Sequence, residues 1–232
     1  MEHSYYDYPP FPGFSDEGLT FLKNLKRNNR REWLTDKRKE VLKEELIYPM
    51  ETLLADLGRR SQEEGLQWRP DPKKSQFRIY RDTRFSKNRK PFKTNIGAVL
   101  PFADEPKKGT GCYVHIEPGG AFFGAGGYFL EGEALKNLRR SIDQDSPYVR
   151  ELLDRVESSF APVEGEELKR APLGYDPDHP AIDLLRRKQF WTIRELPDDL
   201  LSRPELADRL FSMSKDLHEF CAWLYEGTRE GG

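Results

Sequence analysis

The chain has 232 residues, of which 36% are hydrophobic, 34% charged and 12% aromatic, and its mean hydropathy is −0.82. The aromatic content excludes a disordered polymer, and a formal charge of −2 excludes any global attraction to nucleic acid or anionic membrane, so such attraction must be local. No apolar run nears the roughly 18 residues of a membrane span, the start MEHSYYDYPPFPGF lacks a leader pattern, and Cys112 and Cys221 suggest no disulfide framework, so a cytoplasmic protein with reduced thiols is expected.

In chain order, residues 1–13 read as an irregular Tyr/Pro-rich arm, and residues 14–228 as a single domain. Ser15-Asp16-Glu17 caps a helix carrying Leu19, Leu22 and Leu25, which Asn28-Asn29 ends. A longer helical pattern runs from Leu34 to Leu57, and Pro49 predicts a kink or restart near Tyr48. The period then changes. Residues 76–85, 95–102 and 111–117 read as strands, with 121–124 a weaker fourth. Leu135–Ile142 and a Ser146-Pro147 start reaching about Phe160 read as helices. A loop over 161–178, a short helix from Pro180 to Arg187 and a strand in KQFWTIREL follow. The stripe from Leu206 to Leu224 predicts a C-terminal amphipathic helix. Short linkers between the first strands favour hairpins. The fold class expected is α+β, with a mostly antiparallel sheet flanked by N-terminal and C-terminal helices.

Side chains alternate across a strand, so each strand separates into two rows. In FRIYRDTRF one row is Phe77, Ile79, Arg81, Thr83 and Phe85, and the other is Arg78, Tyr80, Asp82 and Arg84. CYVHIE sets Tyr113, His115 and Glu117 opposite an apolar row, and KQFWTIRE offers Lys188 and Arg194. If the polar rows share a face, they form either a solvated surface with cross-strand pairs or a partly enclosed polar cleft beneath helices.

The stretch RIYRDTRFSKNRKPFKTN, residues 78–95, holds seven cations against one acid, a local +6 in a chain of −2. Arg81 stands out because it falls in the apolar row. A buried guanidinium requires a partner, either a protein carboxylate, a phosphate or a bound carboxylate. Lys87 and Arg89 read as a solvated hairpin tip. Lys93, Thr94 and Asn95, followed by Gly97, could hold an anion, since glycine permits close backbone approach to a ligand. Other chemistries fit less well. His115-x-Glu117 is a thin metal signature among cations, and GGAFFGAGG lacks a phosphate-loop lysine, so close packing or a tight turn explains it better. No metal site and no cofactor is expected.

Taken together, RIYRDTRFSKNRKPFKTN resembles the signature of the bacterial and fungal family called domain of unknown function 2461, in which a segment of the form RDxRFSKDKxPYKTN is characteristic. FPGFSDEGLTFLKNLKRNNRREW, CYVHIEPGG, LRRSI and LKRAPLGYDPDHPAIDLLRRKQF also match in order and approximate spacing. The resemblance implies no activity, because the family is named for having none assigned. It implies a set of patterned residues: Arg81, Asp82, Arg84, Phe85, Lys93, Thr94, Gly174, His179, Pro180 and Lys188. The chain departs from the pattern at Leu34, at Arg89-Lys90 and at Phe92, where the usual tyrosine hydroxyl is missing.

Three functional expectations follow. The first is a basic polar cleft binding an anionic, phosphorylated ligand through Arg78, Arg81, Arg84, Lys93, Thr94, Asn95, Tyr113 and Lys188, with Asp82 orienting an arginine. The second is an enzyme of hydrolase or phosphoryl/acyl-transfer type, with His115 as general acid or base and Asp82 or Glu117 orienting it. The third is an interaction module whose charges are structural ion pairs. The partner expected for the first two is an anionic small molecule or a nucleic-acid phosphate, with no membrane partner.

Overall fold

The computed structural model describes residues 4–82, 89–105, 109–127 and 130–229. The fold is α+β, as expected, with one antiparallel sheet of order β1 (Ile96–Pro101), β2 (Gly111–Ile116), β3 (Phe122–Gly127) and β4 (Phe190–Glu195). The first three strands follow one another through short connections, and helices fill the long excursion before β4. The chain divides into two compact units.

The first unit comprises residues 1–100, 113–123 and 195–212. Helix α1 (Asp16–Arg27) starts where its cap predicts, the Ser15 hydroxyl accepting from the Gly18 N–H at 3.1 Å. Its buried face is Phe21, Leu22 and Leu25, and Phe21 meets Trp33 at 5.2 Å. Helix α2 (Asp36–Leu42) runs through a π-helical turn at Lys43–Ile47 into α3 (Tyr48–Glu63), with Pro49 in the first turn of α3. The restart near Tyr48 is therefore present. A proline ring clashes with the carbonyl four residues back in a regular helix, and the wider turn relieves that clash. Met50, Leu53, Leu54 and Leu57 of α3, Trp68 and the inward residues Val114 and Ile116 of β2 are fully buried.

The second unit comprises residues 101–112, 124–194 and 213–232. It holds α4 (Gly132–Gln144), α5 (Ser146–Ser159), the short α6 (Ile182–Leu185) and α8 (His218–Gly227). Leu138, Ile142, Val149, Leu152, Val156, Phe190 and Phe220 are buried here, and Phe190 meets Trp223 edge-on at 5.3 Å. The glycine-rich run does serve close packing. A Cβ on Gly124 would stand 2.4 Å from the Thr192 carbonyl oxygen, and one on Gly126 would stand 2.1 Å from that of Phe190.

Three expectations need correction. The C-terminal stripe forms two helices, α7 (Glu205–Asp216) and α8, broken at Leu217. Residues 122–127 form a full strand. Residues 76–82 do not form one, although their rows still alternate, with Ile79 buried and Arg78, Tyr80 and Asp82 exposed. They pair with residues 92–98 through isolated antiparallel bridges, Gln76 with Ala98 and Tyr80 with Phe92. Between those bridges this segment advances four residues and its partner six. The partner must therefore bulge across residues 93–97, which interrupts the ladder.

Candidate functional site

The bulge re-aims two of the anticipated residues. Thr94 Oγ1 donates to Glu117 Oε1 at 3.0 Å, and Asn95 hydrogen-bonds the Tyr113 hydroxyl. Along β2 the polar row is continuous: Tyr113 Oη lies 3.3 Å from His115 Nδ1, and His115 Nε2 lies 3.4 Å from Glu117 Oε2. Lys26, from α1, adds its ammonium to Glu117 Oε1 at 3.0 Å. The side chains of His115 and Glu117 are only 17% and 18% exposed, so this row is largely covered and not a solvated face.

The protonation states give the relay a direction. Burial pushes the Tyr113 phenol up, and the Asn95 hydrogen bond offsets this only in part, so the hydroxyl keeps its proton. Burial also raises the Glu117 carboxyl, but hydrogen bonds from Lys26, Thr94 and His115 outweigh it and hold the group below the usual range. Burial lowers the His115 imidazole, with the Lys93 charge adding to it and Glu117 opposing. A neutral imidazole beside a carboxylate donates from Nε2 and accepts at Nδ1. The chain of donors therefore runs from Asn95 to Tyr113 to His115 to Glu117. Both ring nitrogens of His115 are engaged, and its ring stacks on Phe122 at 4.5 Å and 11°.

Gly97 has a different role from the one anticipated. A Cβ there would stand 2.3 Å from the Tyr113 hydroxyl, so the glycine admits the phenol of its own chain instead of a ligand. Phe77 closes the other side of Tyr113, ring to ring at 5.8 Å.

The cations gather next to this row. Arg81 N–H bonds the Pro91 carbonyl at 2.9 Å and Lys93 N–H the Ile79 carbonyl at 2.7 Å. That register sets Arg81 and Lys93 diagonally on one ribbon face. The Lys93 ammonium lies 5.1 Å from the centre of the Phe77 ring. Burial lowers its pKa, and the charges of Arg81 and Arg78 lower it further. Arg81 is half-buried, and its Nε is enclosed with no hydrogen-bond partner among the described residues. Asp82 is exposed.

Arg84 lies outside the described residues. Lys188 belongs to the second unit, where its ammonium meets Glu166 at 2.5 Å. Arg194, also there, lies over the Phe160 ring at 4.7 Å and donates to the Ser159 carbonyl at 3.1 Å, so it caps the end of α5. Gly174, His179 and Pro180 belong to the second unit as well, with His179 Nε2 3.0 Å from Asp143. Lys26, Phe77 and Phe122 join the site without having been singled out for it. The one signal for Phe77 was its place in the row of Arg81. Among the described residues, no group of three or more His, Cys, Asp or Glu side chains could hold a metal ion, and no helix is long and apolar enough to cross a membrane.

A bulged ribbon feeding a row of hydrogen-bonded polar groups, on an α+β scaffold, is the architecture these motifs build. Residues 17–223 match the conserved hypothetical protein family DUF2461, and the chain belongs to that family. No curated protein and no solved structure matches the chain.

Proposed function

We propose that the protein binds an anionic, phosphorylated ligand through Arg78, Arg81 and Lys93. The observation that carries this reading is a set of mutually repelling cations with no ion-pair partner among the described residues, one of them a half-buried lysine. The sequence of residues 83–88, TRFSKN, which lie outside the described residues, contains two more cations and no acid. Holding like charges together costs stability, and an anion offsets that cost. Arginine supplies a bidentate fork and lysine a point charge for phosphate. The enzymatic reading draws on the contact of His115 with Glu117. It is less supported, because Tyr113 and Glu117 occupy both imidazole nitrogens. In the binding reading, the relay holds the Tyr113 and Asn95 side chains rigid beside the cations.

The test is a thermal-shift series with phosphate, pyrophosphate and sugar phosphates at constant ionic strength, run on the wild type and on Arg81→Met and Lys93→Met. A ligand at about one hundred times its Kd adds about 2.7 kcal/mol. Wild-type stabilisation that both variants lose is the expected result. If none of these anions stabilises the wild type, or if they stabilise the variants equally, the proposal fails.

A further inference from the structure

A recess of about 290 Å³ lies beside the ribbon, lined by Arg31, Lys39, Tyr80, Arg81, Pro91 and Phe92 together with Leu34. Three of these residues are cationic, and among the described residues no acid lines the recess. The Lys39 ammonium pairs with Asp36 at 2.9 Å, but that carboxylate is 98% exposed, and so open a pair is weak and yields readily to a doubly charged phosphate. Tyr80 presents 55% of its surface to solvent. Its ring stands edge-on to Phe92 at 5.4 Å, and Phe92 is itself 2% exposed. Asn29 clamps the Phe92 backbone from both sides, Nδ2 donating to the carbonyl and Oδ1 accepting from the N–H, each at 3.0 Å. The platform is therefore set in advance, and little ordering remains for a ligand to impose.

We infer that this recess binds a mononucleotide. Tyr80 stacks on the base, and Arg31, Lys39 and Arg81 hold the phosphate. Exposed aromatic faces beside cations are how proteins take up bases regardless of sequence, while a bare phosphate or sugar phosphate leaves Tyr80 with nothing to cover. The volume lies just below the roughly 300–1,000 Å³ usual for ligand sites, which restricts the occupant to a small ligand such as one nucleotide. This inference rests on the anion-binding reading through the shared Arg81, and it adds Arg31, Lys39 and Tyr80 to the site.

Calorimetric titrations of the full chain with AMP, ribose 5-phosphate, adenosine and inorganic phosphate, at one ionic strength, test it. AMP is expected to bind about ten-fold tighter than ribose 5-phosphate. Tyr80→Ala should erase that margin and leave the ribose 5-phosphate affinity unchanged, while Tyr80→Phe keeps it. Arg31→Gln and Lys39→Gln should weaken both ligands. Equal affinities for AMP and ribose 5-phosphate overturn the inference but leave the anion site standing; no binding of any phosphate overturns both. Affinity that climbs with the length of a 5′-phosphorylated oligonucleotide overturns the mononucleotide in favour of a strand. Unchanged nucleotide preference in Tyr80→Ala overturns the role given to the ring.

Discussion

Gly97→Ala is the sharpest perturbation of the relay. Within a strand this change ordinarily stabilises by about 0.4–1 kcal/mol, because it reduces the freedom of the unfolded chain. Here the new methyl would lie 2.3 Å from the Tyr113 hydroxyl, 2.8 Å from Cζ and 3.0 Å from Cε2, where ordinary contact begins near 3.4 Å. The tip of the phenol must retreat by about 1 Å. It is wedged between Phe77 and Phe122, each 5.8 Å away ring to ring, so it has little room. Overpacking of this kind costs about 1–3 kcal/mol. Loss of the bonds to Asn95 and His115 adds about 1 kcal/mol each. These losses sum to about 3–5 kcal/mol; set against the ordinary gain of about 0.4–1 kcal/mol, urea unfolding should show Gly97→Ala destabilised by about 2–4.6 kcal/mol, the opposite sign to the ordinary case. Tyr113→Phe removes the nearest atom, so the double variant should be no less stable than Gly97→Ala alone, with a coupling of at least about 1 kcal/mol. Additive losses would refute the claim that Gly97 exists to admit the hydroxyl.

Burial holds the His115 imidazole below its unfolded value near 6.5, so the unfolded chain takes up the proton first and stability falls as pH drops below about 6.5. His218, also lowered by burial, acts in the same direction. His115→Gln should flatten part of that slope in urea midpoints measured between about pH 7.5 and 5.5; an unchanged slope would mean that His115 is not held neutral. Lys93→Met should leave the ligand-free protein as stable as wild type or more so in thermal melts at neutral pH, because it removes a charge that burial, Arg81 and Arg78 all disfavour. A marked loss of stability would instead mean that the ammonium has a structural partner. Cys112 and Cys221 are buried free thiols in mutual contact, and burial together with that neighbour pushes the Cys112 thiol well up. Neither should react with a thiol reagent within minutes in the native state, and both should react in denaturant; rapid native labelling would contradict the packing.

What could be read in advance was what depends on local periodicity. The alternation of Tyr113, His115 and Glu117 against Val114 and Ile116 follows from the pleat alone, and the restart at Tyr48 follows from the ring of Pro49. Of the anticipated residues, Asn95 meets Tyr113 of β2 and Thr94 meets Glu117 just past its end. The means by which they do so was hidden. A period-two reading assumes an unbroken register, and the bulge over 93–97 is visible only once the partner strand is known. The Lys26 contact to Glu117 spans 91 positions, and Asn29 reaches Phe92 across 63. Such pairs come from how α1 and its following turn pack, which no local pattern specifies. The same holds for Lys188, which pairs with Glu166 in the second unit.

Supply of acids does not explain why Arg78, Arg81 and Lys93 have no ion-pair partner among the described residues. The chain has 40 acidic residues for 38 basic ones, and elsewhere it uses them freely. Arg60 bridges Asp56 and Asp208, Arg150 holds Asp183, Arg155 meets Glu151 and Glu219, and Arg229 meets Asp104 and Glu105. Most of these pairs are exposed, where pairing contributes little, so the chain forms ion pairs even where they matter least. At Arg81 and Lys93, where half-burial makes a partner most valuable, it forms none among the described residues. The nearest acid of the relay, Glu117, is already held by Lys26, Thr94 and His115. The relay thus engages its own carboxylate elsewhere, and on the binding reading proposed above the charge of Arg81 and Lys93 is met by the ligand.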